Sequence, residues 1–558
     1  MKQRYLDLME IALSAYTLEH ILEFFDQVKA NGLDDQAFPR LTANIGILLA
    51  NGRRRDLYEL FLEMMDFSCK TIPQKKAAND FSVREIIFAI LEVENAKIVP
   101  PEKTAIWRKD LAAIDIEQCY TIFARKPDDK VYNWAAFTML SEWMRAKAGI
   151  SPLDMDFIDT QAASQLQWFD ENGMYRDPNE PMVYDLVPRG LFALLLHLGY
   201  RGKYAGVIDS LLKKSALLSL KMQSVTGEIP FGGRSNQFYH NEAHLAIIME
   251  FEANRYAKAG DMAMAGLFKY RVAKALDSIA EGMAQQPIHH VKNRYPLETK
   301  FGCEDYAHFN KYMITAGSFL YSAYLICDDS IPAAASDTLT RFTWQSLEHF
   351  HKLFLRHDDY CVEFELAADP HYDASGLGRF HRAGAPSELV MAGSCPAAPN
   401  FKVEIPDPAE LAFAPGVKDK DGKWLFAVNT DTRYQVNAHA STPGGATAEI
   451  LCTFADGREV TAFYTLNENG LNIKVNGDGD IAYMIPVFVF DGADAVSVQT
   501  EEKSLEVCRK KWRFRCSADT AIADLHLAGC NRNGRFNAFA AIGSREINLH
   551  LVIEKISE

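Results

Sequence analysis

Four times before residue 330, a polar loop runs into a tyrosine, then a few polar or aromatic residues, then a segment that is apolar nearly all round. The four read "DKVYNWAAFTML", "EPMVYDLVPRGLFALLL", "SNQFYHNEAHLAIIM" and "GCEDYAHFNKYMITAGSFL", placing Tyr132, Tyr184, Tyr239 and Tyr306 at intervals of 52, 55 and 67 residues. Between them lie one-sided helices such as "AGVIDSLLKKSALLSL" and "MAGLFKYRVAKALDSIAEGM". A helix that is apolar on every side must be wrapped by others, whereas a one-sided helix can form an outer layer. Inner and outer helices alternating in pairs describe an (α/α) toroid, a closed ring of hairpins. In such a ring every inner helix starts at the same rim. Their free N–H groups and partial positive charge then converge on one cleft and favour a bound anion.

Beyond about residue 357 the texture changes. "KWLFAVN", "ATAEILCTF", "REVTAFYTL", "AYMIPVFVF" and "INLHLVIEK" are short β-branched or aromatic runs divided by turns such as "ADG", "NENG" and "NGDG", the pattern of an antiparallel sandwich. The sequence thus predicts a multidomain α + β chain, with a toroid over 1–357 and an antiparallel β-sandwich over 358–558. A chain of 558 residues with 48% apolar and 24% charged residues has material for both cores.

A net charge of −15 excludes a general nucleic-acid or acidic-membrane binder, so any anionic ligand must be held by local groups. No run is long and apolar enough to span a bilayer. The opening "MKQRYLDLMEIALSAYTLEH" reads as an amphipathic helix rather than a signal peptide, and the expected address is cytoplasmic. Ten cysteines without a C-x-x-C pair signal neither a zinc site nor a disulfide framework.

The densest chemistry lies in "GGRSNQFYHNEAH" (232–244), at the head of a buried helix. Arg234 offers a bidentate fork for a carboxylate, and Asn236, Tyr239 and Asn241 offer hydrogen bonds to hydroxyls. Glu242, desolvated there, is a candidate general acid or base, with Glu304 or Asp305 at the next inner helix as its partner. Tyr184, Asp185, Arg189, Trp134, Tyr132 and His308 occupy equivalent positions and are candidate sugar contacts. Trp168, Tyr175, Phe231 and Phe238 offer flat faces for rings. His371, Arg379 and His381 sit in the glycine-rich "HYDASGLGRFHRAGAP", where a loop can reach across the mouth of the toroid. His240 and His244 are four apart, but the order H-x-E-x-H is not that of a zinc protease, and His244 reads as a core histidine. No metal is expected. Dinucleotide and Walker signatures are missing, and no cofactor is expected either.

On "GGRSNQFYHNEAH", "KFGCEDYAHFNKY" and "DPHYDASGLGRFHRAGAP", and on its layout, the chain resembles carbohydrate-active enzymes that join an (α/α) toroid to a β-sandwich. These are the heparinase II/III-like uronate lyases and, in the helical part, glucuronidase-type glycoside hydrolases. The lyase resemblance implies that His240 and Asn241 neutralise a uronate carboxylate, that Tyr295 or Tyr306 moves the proton, and that a sandwich histidine, here His439, assists. The hydrolase resemblance implies paired carboxyl groups, Glu242 with Glu304 or Asp305. The leading expectation is an exo-acting glucuronidase on uronic-acid-containing oligosaccharides, with His240 and Tyr306 positioning the substrate. A lyase and a non-catalytic glycan-binding protein are the alternatives, and self-association into a homo-oligomer is expected.

Overall fold

The computed structural model describes residues 1–346, 348–429, 431–442 and 444–556. Its helical half comprises α1 (Lys2–Ser14), α2 (Leu18–Asn31), α3 (Ala37–Ala50), α4 (Tyr58–Thr71), α5 (Val83–Asn95), α6 (Pro101–Ala112) and α7 (Ile116–Cys119). It continues with α8 (Trp134–Lys147), α9 (Met155–Leu166), α10 (Met182–His197), α11 (Ala205–Met222), α12 (His240–Lys258), α13 (Met262–Met283) and α14 (Phe309–Ile326).

Six of these helices close a ring: α3 packs on α5, α5 on α8, α8 on α10, α10 on α12, α12 on α14, and α14 back on α3. Helices α4, α9, α11, α13 and α1 pack outside their ring neighbours. The toroid is therefore as the helix patterning predicts, and the four tyrosine signals mark α8, α10, α12 and α14. The first two ring helices, α3 and α5, start without that signature. Burial follows the patterning: all but the last residue of α3 is buried, whereas α2 buries only Ile21, Phe24, Phe25 and Val28. Outer helices α2, α9 and α13 start with side-chain caps from Thr17, Asp154 and Asp261. In none of the six ring helices does the N-cap side chain close on the first turn, which leaves N–H groups directed at the rim.

The strands are all antiparallel. β1 (Arg341–Gln345), β2 (Lys352–His357), β3 (Tyr360–Glu365) and β4 (Gly376–Arg382) form a four-stranded sheet in that order. The larger sheet holds β5 (Ala414–Lys418), β6 (Trp424–Phe426), β7 (Arg433–Thr442), β8 (Gly445–Thr453), β9 (Glu459–Asn467) and β10 (Gly470–Phe490). It is completed by β11 (Val498–Glu501), β12 (Ser504–Arg509), β13 (Trp512–Ala518), β14 (Ala521–Cys530) and β15 (Arg535–Lys555), with the long β10 and β15 paired at its centre.

Period-two alternation explains why β2 is buried on both faces. Leu353 and Leu355 join the sandwich core with Val362 and Phe364, while Phe354 packs with Met174, Met182 and Met222 of the toroid. The small sheet is thus a middle layer between toroid and large sheet. The boundary differs from the expected 357: the last helix ends at Ile326 and β1 begins at Arg341. Strand β2, "KLFLRH", carries Lys352 and Arg356 on its toroid face, which hides the alternation of a half-exposed strand.

Candidate functional site

The rim of the ring encloses a cleft of about 300 Å³, lined by residues of five inner helices or their lead-ins and by the approach to the sixth, α5. Gln36 and Arg40 come from α3, Phe81 from the approach to α5, and Asn133, Trp134 and Phe137 from α8. Val183, Tyr184 and Val187 come from α10, Arg234, His240 and His244 from α12 and its lead-in, and Tyr306, Lys311, Tyr312, Thr315 and Phe319 from α14. Among the described residues lining it there is no aspartate or glutamate, while three cationic side chains, three tyrosines and two histidines are present.

Three tyrosines converge on one hydroxyl. Ser235 Oγ lies 3.0 Å from the Tyr306 hydroxyl, 3.2 Å from that of Tyr184 and 3.3 Å from that of Tyr312. Burial raises all three phenols above their ordinary range, Tyr312 to about 12, so each is protonated near neutrality. Tyr306 is the exposed end of the relay at 40% accessibility. Beside it, His240 stacks on Phe238 and its Nδ1 has no partner among the described residues. Burial, then the charge of Arg40, lowers its pKa to about 3, so the imidazole is neutral.

The floor is positive. Glu85 accepts from Arg40 Nε at 3.0 Å and from Arg84 Nη2 at 2.7 Å, so two buried guanidinium groups share one carboxylate. Arg40 Nη2 and Arg84 Nε and Nη1 are buried without partners among the described residues. Arg234 lies over the Tyr184 ring at 4.5 Å and is held by Asp177 and by the Pro178 carbonyl at 2.6 Å. Lys311, 3.7 Å from Asp35, completes the basic rim.

The loop that carries Ser235 is set by the β domain. Gly233 N–H donates to Asp373 Oδ2 at 2.7 Å and Ser235 N–H to Glu304 Oε1 at 2.7 Å, while Asn533 donates to the Lys292 carbonyl at 2.9 Å. Gly233 has φ +78°, and a Cβ there would meet Pro181 at 2.5 Å, so glycine is required. The polar richness of "GGRSNQFYHN" is thus largely spent on holding the loop. Asn236 donates to the Pro230 carbonyl at 3.1 Å and Asn241 to that of Ser235 at 3.2 Å.

The expected carboxyl pair is not assembled in the cleft. Glu242 is fully buried on the far side of α12, where it accepts from Lys292 Nζ at 2.9 Å and from the Ile229 N–H at 3.2 Å. Burial does raise its pKa, as the sequence suggests, but Glu242 is not among the residues lining the cleft. Glu304 is closed by Arg532, and Asp305 points to solvent beside Lys402. Nearness to a helix start did not decide which way Glu242 and Glu304 face; Lys292, from the segment between α13 and α14, and Arg532 of the β domain did.

Other expected contacts are also structural. Asp185 and Arg189 are a fully buried pair at 2.6 Å that ties α10 to Ser219 of α11 and to the Tyr175 N–H. Arg379 bonds the Ile229 and Ala392 carbonyls and Glu363; His381 bridges Ser224 and the Met391 carbonyl. His371 meets the Ala398 carbonyl at 2.9 Å on the surface. Tyr239 packs on Gly282 behind α12, and Tyr295 stacks on Phe301 at 3.7 Å. His439 is exposed on β7. His308 pairs with Asp35 at 2.9 Å at the rim beside Lys311. His244, read as a core histidine, lies 3.7 Å from the Phe319 ring and lines the cleft floor. Tyr132 packs on Trp168 at 4.7 Å, and Phe231 lies under Lys352 at 3.6 Å.

Arg40, Ser235, Lys311 and Tyr312 escape the sequence reading. "PRLTANIG" carries an arginine in the first turn of an otherwise apolar helix, and that was the available signal for Arg40.

No family model matches the sequence, and no curated protein does. Among solved structures, heparinase III has a TM-score of 0.51 at 7% identity, over 94% of this chain and 78% of that one. A heparan sulfate lyase HepC mutant from Pedobacter heparinus has a TM-score of 0.48 at 7% identity, over 93% and 76%. A glycosyl hydrolase family 88 protein from Bacteroides vulgatus has a TM-score of 0.39 at 12% identity, over 58% and 98%. What this chain shares with heparinase III is the fold: a helical toroid followed by an antiparallel β domain.

Proposed function

We propose that the protein cleaves uronic-acid-containing oligosaccharides by β-elimination. The observation that carries this reading is the lining of the cleft: tyrosines, neutral histidine and cations, without a carboxylate among the described residues. Glycoside hydrolysis by an exo-acting glucuronidase uses two carboxyl groups flanking the bond, and Glu242, Glu304 and Asp305 are directed elsewhere. The toroid shared with heparinase III agrees with a glycan substrate.

In this reaction the uronate carboxylate lies against Arg234, Lys311 and Arg40, which lower the cost of negative charge developing at C5. Neutral His240 accepts the C5 proton. The C5 electron pair forms the C4–C5 double bond as the C4–oxygen bond breaks, and Tyr306 gives its proton to the departing oxygen. His240 then releases the C5 proton to solvent, and Tyr306, the exposed member of the hydroxyl cluster, regains one from solvent, so both return to their starting states.

The test is a panel of uronate oligosaccharides followed by reducing ends and ultraviolet absorbance together. Elimination yields both signals in equal amounts. Reducing ends without absorbance would establish hydrolysis, and binding without either would establish a glycan-binding protein.

A further inference from the structure

Away from the cleft, α13 and β2 enclose a second hollow of about 460 Å³ at the joint between toroid and β domain. Arg271 of α13 and Arg356 of β2 both line it, and they are only 4% and 7% exposed. Among the described residues the Arg271 guanidinium has no hydrogen-bond or ion-pair partner, and its Nε is fully buried. Arg356 meets only neutral carbonyls, those of Asp358 at 3.2 Å and Gln223 at 3.4 Å. Burying one guanidinium without a counter-charge is costly, and two side by side add repulsion. Burial and then Arg356 lower the pKa of Arg271 to about 9.

Elsewhere along this joint the buried cations are compensated. Lys352 meets Glu363 at 3.1 Å and Glu365 at 3.0 Å, Arg379 meets Glu363 at 3.1 Å, and Lys292 meets Glu242 at 2.9 Å. At the second hollow the nearby carboxylates are otherwise placed: Asp358 is engaged by Arg341 through two hydrogen bonds of 3.0 and 2.7 Å, and Asp337 and Asp359 are exposed at the rim. Lys274 and the Ser336 and Thr340 side chains complete the lining.

We infer that Arg271 and Arg356 form a binding site for a tetrahedral oxyanion, a sulfate or phosphate group, seated between α13 and β2. Two guanidinium forks match such a group by charge and by hydrogen-bond geometry. One arginine comes from each domain, so the bound oxyanion fastens the toroid to the sandwich. The site is separate from the cleft and does not depend on the reaction proposed for it.

The test uses the full chain and inorganic sulfate, inorganic phosphate and glucose 6-phosphate, each compared with sodium chloride at equal ionic strength. Thermal unfolding and calorimetric titration are the readouts. The inorganic ions raise Tm beyond chloride; a further gain with glucose 6-phosphate assigns the group to a sugar ester, and its absence assigns it to the free ion. Arg271→Met and Arg356→Met each weaken binding about tenfold or more and abolish the gain. Arg234→Met, in the cleft, retains it. Without oxyanion, Arg271→Met is at least as stable as the parent, because an unpaired buried charge is gone. Equal effects of sulfate and chloride, retention of the gain in both arginine variants, or a large loss of stability in Arg271→Met without oxyanion would each overturn the inference.

Discussion

Arg532 of the β domain closes two hydrogen bonds on Glu304 at the head of the last toroid helix, at 2.9 and 2.6 Å, with both side chains buried. Glu304 in turn accepts the Ser235 N–H, so a β-domain cation fixes the hydroxyl on which three cleft tyrosines converge.

Removing that carboxylate's charge strands the guanidinium. Glu304→Gln is expected to destabilise the protein by about 3–5 kcal/mol, as for other broken buried pairs. Adding Arg532→Met should recover much of the loss. Urea midpoints of the single and double variants measure both, and an unchanged midpoint in Glu304→Gln would contradict the coupling.

Tyr306→Phe removes the exposed end of the relay while leaving the ring in place. Its hydroxyl bonds only Ser235 among the described residues, so stability is expected to hold. The elimination rate should fall about 100-fold or more, the usual scale for a lost proton-transfer group. A time course of ultraviolet absorbance with the folded variant decides.

Glu242→Gln separates the two chemistries. Because Glu242 faces Lys292 rather than the cleft, the variant should retain turnover while becoming less stable. Loss of nearly all turnover in a folded Glu242→Gln protein would restore the paired-carboxyl mechanism.

Asp373 has its pKa raised by burial to about 7, despite Lys352 and the Gly233 N–H. Between the ordinary carboxylate value and about 7 the folded state binds more protons than the unfolded state. Its contribution is therefore fully present at low pH and is lost as pH rises through about 7. Asp373→Asn should raise Tm above pH 7 and make little difference near pH 4, which a Tm series across pH tests directly.

His240, at about 3, stays neutral through the whole neutral range. The elimination rate is therefore expected to show no inflection near the ordinary imidazole value of about 6.5. A pH profile of the parent enzyme with an inflection at about 6.5 would contradict a neutral His240.

The ring was legible in the sequence because helix burial is periodic: wholly apolar helices alternating with one-sided ones leave few arrangements except a closed double layer. Tyr184, His240, Tyr306, Trp134 and Arg234 reach the cleft because each sits at an inner N-terminus, a position that sequence spacing reports. The pattern is one-dimensional, however, and ends at the helix axis. Which side of α12 receives Glu242, and whether Glu304 meets sugar or arginine, depends on Lys292 and Arg532, which no local periodicity links to them. The amino-acid order determined the double ring, the sandwich and the rim where ligands gather. Tertiary packing alone decided which ionisable groups face that rim, because a buried charge turns toward its counter-charge wherever in the chain that partner lies.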